Sequence, residues 1–213
     1  MTVINIRDLF FKVTSRPEIL PGAMRSALME AGITIARLSN LLKGEVFTTL
    51  KPGVSRLTVP LPPDQELNRV DQVFYRDPTD SRGLWLRLSE LAPVFLENQS
   101  QHVESQQAGE PSAWGLRGST LFLEYPSDGT YPLRITYSWA PTRASHPESF
   151  AFPNEAETAF IAYARSILLQ DLDPRAAAAS ASQFRAELCD LRGMGESGES
   201  GVRSIYDFLP SEG

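Results

Sequence analysis

The sequence predicts an α+β fold in which helices at both ends of the chain enclose a run of strands. Apolar residues recur at helical spacing near each end. Between about 46 and 139 the texture changes to alternating, β-branched and aromatic segments punctuated by Pro and Gly. No internal repeat interrupts that order. The expected architecture is a helical bundle, two helices N-terminal and two C-terminal, with an inserted antiparallel β-sheet region and an extended C-terminal tail. Residues 1–192 then form a single α+β domain, and residues 193–213 a flexible linker and a docking tail.

Ile6, Leu9, Phe10 and Val13 lie at i, i+3, i+4 and i+7, the spacing of a short amphipathic helix. Pro17 and Pro21 bracket a turn, and Pro21 suits the first turn of a second helix. Met24, Leu28, Ala31, Ile35, Leu38 and Leu42 form its seam, and Gly44 is the expected stop. Strands follow at 46–49 and 55–59 around the turn Lys51, Pro52, Gly53. Pro60, Pro62 and Pro63 end the second of these, because proline cannot donate to a ladder. Val70, Val73 and Tyr75 mark the next apolar segment. Leu84, Leu86 and Leu88 alternate with Trp85 and Arg87, which predicts a strand with one apolar face. Ser89 is placed to cap a short helical turn through Glu97. Residues 98–112 are rich in Gln, Ser and Glu, a long surface loop or a mobile one.

A sharply patterned hairpin is expected within 109–141. Its loop is Ser127, Asp128 and Gly129, with Gly129 in the left-handed region. That loop length sets Leu123 opposite Leu133 and Leu121 opposite Ile135, keeping one face apolar. Beyond Pro141, Asn154 is the candidate N-cap of a third helix, with Glu157 completing a capping-box pattern. Phe160, Ala164, Ile167 and Leu168 are its stripe. Asp173 and Pro174 start a fourth helix, striped by Ala177, Ala181, Phe184, Leu188 and Leu191 and stopped at Gly193. The Gly, Ser and Glu residues of 193–201 read as a tether. It leads to Ile205, Tyr206, Phe208 and Leu209, the candidate partner-binding cluster.

Composition excludes several functions. The net charge of −6 opposes wrapping of nucleic acid, and no basic cluster appears. The 42% apolar and 22% charged fractions are those of a soluble globular protein, and no apolar run is long enough to span a membrane. The N-terminus lacks a signal-peptide pattern. Cys189 is alone, so no internal disulfide forms and a reducing compartment is expected. The sequon at Asn98 carries no weight without a secretory signal.

Reactive residues are isolated. Residues 193–198 match G-x-G-x-x-G by letter, yet a helix precedes them and no strand does, so no phosphate meets a helix N-terminus. His102 and His146 have no ligand-spaced or catalytic partner, and Asp77 and Asp80 mark a turn rather than a calcium loop. Trp85, Trp114 and Trp139 fill a core or an interface. No catalytic residue, metal site or cofactor is expected.

Gly109-Glu-Pro-Ser-Ala-Trp114, the run from Leu121 to Tyr137 with its Pro126, Asp128 and Gly129, and Pro141 together resemble the head-to-tail adaptor (connector) proteins of tailed bacteriophages. The order of helices, strands, a Pro-rich loop at 61–64 and a C-terminal helix pair is also similar. Tyr125-Pro126-Ser127 departs from the family, where a second proline is common. The resemblance implies a non-enzymatic virion protein of the neck, made in the host cytoplasm. Its ring of about twelve copies would sit beneath the portal, with a heterologous, closed interface. It would extend the DNA channel without sequence-specific binding and carry a tail, stopper or nozzle protein. The alternative reading is a small cytosolic enzyme or ligand-binding domain whose site is built from residues taken here as structural.

Overall fold

Helices and strands fall where the sequence texture changes, so the chain is mixed α+β. The structure, a computed structural model, describes residues 4, 6–13, 19–92, 107–142 and 152–197. These fall into two compact units. One takes the described residues up to Lys43 and from Trp139 onward, and the other runs from Gly44 to Ser138.

The first unit holds α1 (Ile6–Val13), α2 (Pro21–Ser39), α3 (Glu157–Leu168) and α4 (Pro174–Ser197). One core joins them. Leu9 and Val13 of α1 and Met24, Leu28, Ala31 and Ile35 of α2 meet Phe160 and Ala164 of α3 and Phe184, Leu188 and Leu191 of α4. These are stripe residues that helical spacing picks out. Leu38 and Ile167 depart from their stripes and are exposed.

Helix ends show which local signals prevail. Asp173 caps α4: its Oδ1 accepts the Ala176 N–H at 3.1 Å. Asn154 does not cap α3. It sits in a 3-10 turn, Asn154–Ala156, entered from extended Pro153, with no side-chain cap bond. α2 stops at Asn40, five positions after Ile35, in the left-handed conformation (φ 55°), with its N–H on the Ala36 carbonyl. Asparagine tolerates that conformation, so Gly44 is not needed as a stop. Gly193 does not stop α4 either, because the helix continues to Ser197. The residues from 198 on, including the rest of the glycine motif, lie outside the described residues.

Two arginines on the C-terminal helices satisfy carbonyls that the N-terminal helices leave unpaired at their ends. Arg165 donates from Nε to Val13 O (2.6 Å) and from Nη2 to Lys12 O (2.7 Å). Arg192 Nε donates to Leu38 O at 2.8 Å. Positive charge at a helix C-terminus is also favoured by the helix dipole.

The second unit contains two four-stranded sheets. The first has the order β1 (Lys43–Leu50), β8 (Tyr131–Pro141), β3 (Gln65–Tyr75), β4 (Leu86–Arg87). The second has the order β2 (Arg56–Thr58), β7 (Thr120–Leu123), β6 (Ala113–Arg117), β5 (Ser89–Glu90). Leu50, Val70, Val73, Leu133 and Ile135 from the first sheet share a core with Trp114, Leu121 and Leu123 from the second. The expected antiparallel insert is mixed, because β5 runs parallel to β6. Ser89 lies in that strand, its N–H on Ser112 O at 3.0 Å, so it caps no helix, and the rest of the expected turn, 93–97, lies outside the described residues. Of the Leu84, Leu86, Leu88 alternation only Leu88 is buried.

The expected hairpin is overturned. Leu121 pairs with Leu116 and Leu57, and Leu123 with Trp114. β8 belongs to the other sheet. The reason is a tighter local closure: Gly118 (φ 60°) and Ser119 join Arg117 to Thr120, so β6 pairs β7 immediately and β2 takes its other side. Leu121, Leu123, Leu133 and Ile135 are all buried as the apolar pattern requires, but in two sheets around one core rather than across one ladder. Asp128 and Gly129 form a bend, and Gly129 is not among the glycines with positive φ.

Two outcomes follow for stability. A Cβ on Gly44 would lie 2.6 Å from the Tyr137 ring, so Gly44→Ala should cost about 1–3 kcal/mol in urea unfolding through overpacking. Asp173→Ala should cost about 1 kcal/mol by loss of its cap, while Asn154→Ala leaves the melting temperature within error. Equal losses at the two sites would contradict the capping assignment.

Candidate functional site

The bend at 127–129 is a junction of three segments. Gly53 N–H donates to Ser127 O (2.7 Å) and Ser127 N–H to Val54 O (3.1 Å). Gly109 N–H donates to Pro126 O (2.9 Å), and Asp128 N–H returns to Gly109 O (3.2 Å). Ser127 Oγ closes the bend on Gly129 O at 2.7 Å. Pro111 and Trp114, which follow Gly109, are buried. The Gly109, Pro111, Trp114 pattern therefore docks a chain segment into the core of the second unit.

Beside this junction lies a group of titratable side chains. Tyr75 Oη donates to Glu110 Oε1 and Tyr131 Oη to Asp128 Oδ1, both at 2.7 Å. The two rings meet edge to face, with centroids 5.8 Å apart. Burial, then the hydrogen bond to Glu110, pushes the Tyr75 phenol well above its ordinary range. The hydrogen bond to Asp128, then burial, pushes Tyr131 up to about 12. A phenol so held is a poor base and a poor nucleophile at neutral pH. The pair orders the junction instead.

A second cluster covers the outer face of the β1-β8-β3-β4 sheet. The Arg134 guanidinium lies over Phe74 (4.3 Å) and Trp85 (5.5 Å), and Arg76 also stacks on Trp85 (5.6 Å). Arg134 Nε is 3.4 Å from Glu45 Oε1, an ion pair without hydrogen-bond geometry. Phe47 meets Trp85 with ring centroids 5.9 Å apart and is half exposed. Sequence reasoning marked Trp85 but missed Phe47, Phe74, Arg76 and Arg134. The signal was the alternation along β1, which puts Phe47 on the polar Glu45 and Thr49 side. The arrangement offers an aromatic and cationic contact surface.

Ile205, Tyr206, Phe208 and Leu209 lie outside the described residues, as do His102, His146 and the Asn98 sequon. Cys189 is free and exposed on α4. Asp77 forms the expected turn, its Oδ1 accepting from the Thr79 hydroxyl and N–H, which lowers its pKa. Among the described residues no three His, Cys, Asp or Glu side chains cluster as metal ligands, and no helix is long and apolar enough to cross a membrane.

The Tyr131 phenol ionises near 10 in an unfolded chain and near 12 in the folded protein. Its preference for the neutral form therefore contributes stability below pH 10, and that contribution is lost as pH rises toward 12. Tyr131→Phe should make the fall of unfolding free energy between these values shallower. A parallel pH profile for the variant would show that the Asp128 contact does not operate in solution.

Residues 6–204 match the family model described as SU10 adaptor protein. No curated protein matches the chain. The match spans the helices of the first unit, the junction at Gly109 and both sheets, so nearly the whole chain carries it. The chain thus belongs to the SU10 adaptor protein family, a phage head-to-tail adaptor family, and is a structural component of the virion.

Proposed function

We propose that the protein forms a homo-oligomeric ring below the portal in the neck of the virion, extends the DNA channel and presents a platform for tail attachment. The family match over residues 6–204 is the observation that carries this reading. The charge supports it: at −6 per copy, a ring multiplies the negative charge, and a wall of that sign lets DNA pass without holding it. Family resemblance suggests about twelve copies, each meeting two neighbours through unlike surfaces, as a closed heterologous ring requires. The portal lies on one side and a tail, stopper or nozzle protein on the other.

The tail completes the proposal. Ile205, Tyr206, Phe208 and Leu209 end a tether rich in Gly, Ser and Glu. Each would gain about 1.5–3 kcal/mol on leaving water, before ordering costs. Docking on a neighbouring copy or on the portal makes that gain intermolecular, and the ring raises the effective concentration of each tail. Deletion of residues 202–213 should leave the melting temperature of the isolated chain within about 2 °C, a shift of no more than about 1 kcal/mol for this size. Ring formation or portal attachment, followed by native mass spectrometry and negative-stain imaging, should weaken at least tenfold. Normal assembly of the truncated chain, or its early melting as a monomer, would falsify this role.

A further inference from the structure

The sheet β1-β8-β3-β4 ends at β1, and among the described residues nothing pairs with the far side of that strand. β1 has eight residues, whereas the other outer strands have two or three: β4 and β5 two each, β2 three. Long unprotected edges are templates for further strands, and proteins blunt them with proline, bulges or central lysines. β1 has no proline or central lysine inside it: its lysine is its first residue, Pro52 lies beyond its end, and Phe47 at its centre is 51% exposed.

The register identifies the groups presented. Trp139 N–H donates to Leu42 O at 2.9 Å, and Tyr137 stands against Gly44. Continued antiparallel along β1, this turns Val46, Thr48 and Leu50 toward β8 for hydrogen bonding. Glu45, Phe47 and Thr49 then direct their N–H and C=O groups to the open edge.

We propose that this edge receives residues 202–209 of a neighbouring copy as an added strand. The inference rests on the ring reading above. Three observations select this occupant. The segment has eight residues without Gly or Pro, the length of β1, and carries the strand-forming Val202, Ile205, Tyr206 and Phe208. Its alternation sets Tyr206 and Phe208 on one face, where Phe47 offers an aromatic partner, and Ile205 and Leu209 on the other, beside Val46. A ring also needs one donor and one unlike acceptor per copy, and a terminal strand with an open edge is such a pair.

Hydrogen exchange on the full chain over a dilution series, with sedimentation in parallel, tests this. In the assembled protein the amides of Glu45, Phe47 and Thr49 should exchange at least tenfold more slowly than in the dilute monomer. Phe208→Asp should abolish that protection with the monomer's melting unchanged. Phe47→Pro, which removes an outward N–H and no bond to β8, should weaken assembly at least tenfold. Rings whose three amides exchange without protection overturn the proposal and leave the ring reading standing. Protection independent of concentration places the tail on its own chain and also overturns it. A chain that stays monomeric at every concentration, alone and with portal, removes the ring reading and this inference together.

Discussion

The first unit exists only because segments more than a hundred residues apart bury one another's apolar faces. α1 and α2 have no sufficient core between themselves. Leu9, Leu28 and Ile35 are fully buried because Phe160, Phe184 and Leu191 arrive from the far end of the chain. Phe152 and Phe160 meet edge to face at 4.8 Å, and Tyr163 and Phe184 at 4.9 Å, so aromatic contacts concentrate on the late-arriving helices. Arg165 and Arg192 add polar closure by reaching the open ends of α1 and α2. The N-terminal helices therefore gain both burial and capping only after α4 is made. Such non-local closure carries an entropic cost before any contact rewards it.

Much of the helical unit was legible in the sequence, because its signals are local and repeated. Asp173 with Pro174 marked a true start, and the stripe from Ala177 to Leu191 marked a true buried face. Single-residue stop signals fared worse. Gly44 answers a close approach by Tyr137, and Gly193 sits inside a helix that tolerates the roughly 1 kcal/mol a glycine costs there. Among the strands, burial was legible and partnership was not. Leu121, Leu123, Leu133 and Ile135 are core residues as their alternation indicates. Alternation reports which face is apolar, not which strand lies beside it. The Asp128, Gly129 cue drew attention from Gly118 and Ser119, which make the real turn. The family pattern at Gly109, Pro111 and Trp114 succeeded because it encodes a junction with its own bonds to Pro126 and Asp128.

Nothing in the described residues needs to be chemically reactive for an adaptor to work. The two tyrosines with raised pKa hold a junction in place, and stacked Arg134 and Arg76 hold aromatic rings on a sheet face. The functional residues of such a protein are those that other chains touch. Sequence reasoning tuned to ligand and catalytic spacing has no template for contact surfaces, and the half-exposed Phe47 carries no such spacing.

The chain leaves the helical unit after Lys43 and re-enters it at Trp139, and the Trp139 N–H donates to the Leu42 carbonyl just before β1. Entry and exit are thus about 5 Å apart, the spacing of an antiparallel pair. A two-residue turn spans that gap. Because the two ends of the helical unit's chain are that close, a change in length between Lys43 and Trp139 leaves the contacts among the helices in place. The segment between those two residues can then change without renegotiating the packing that both ends of the chain must share.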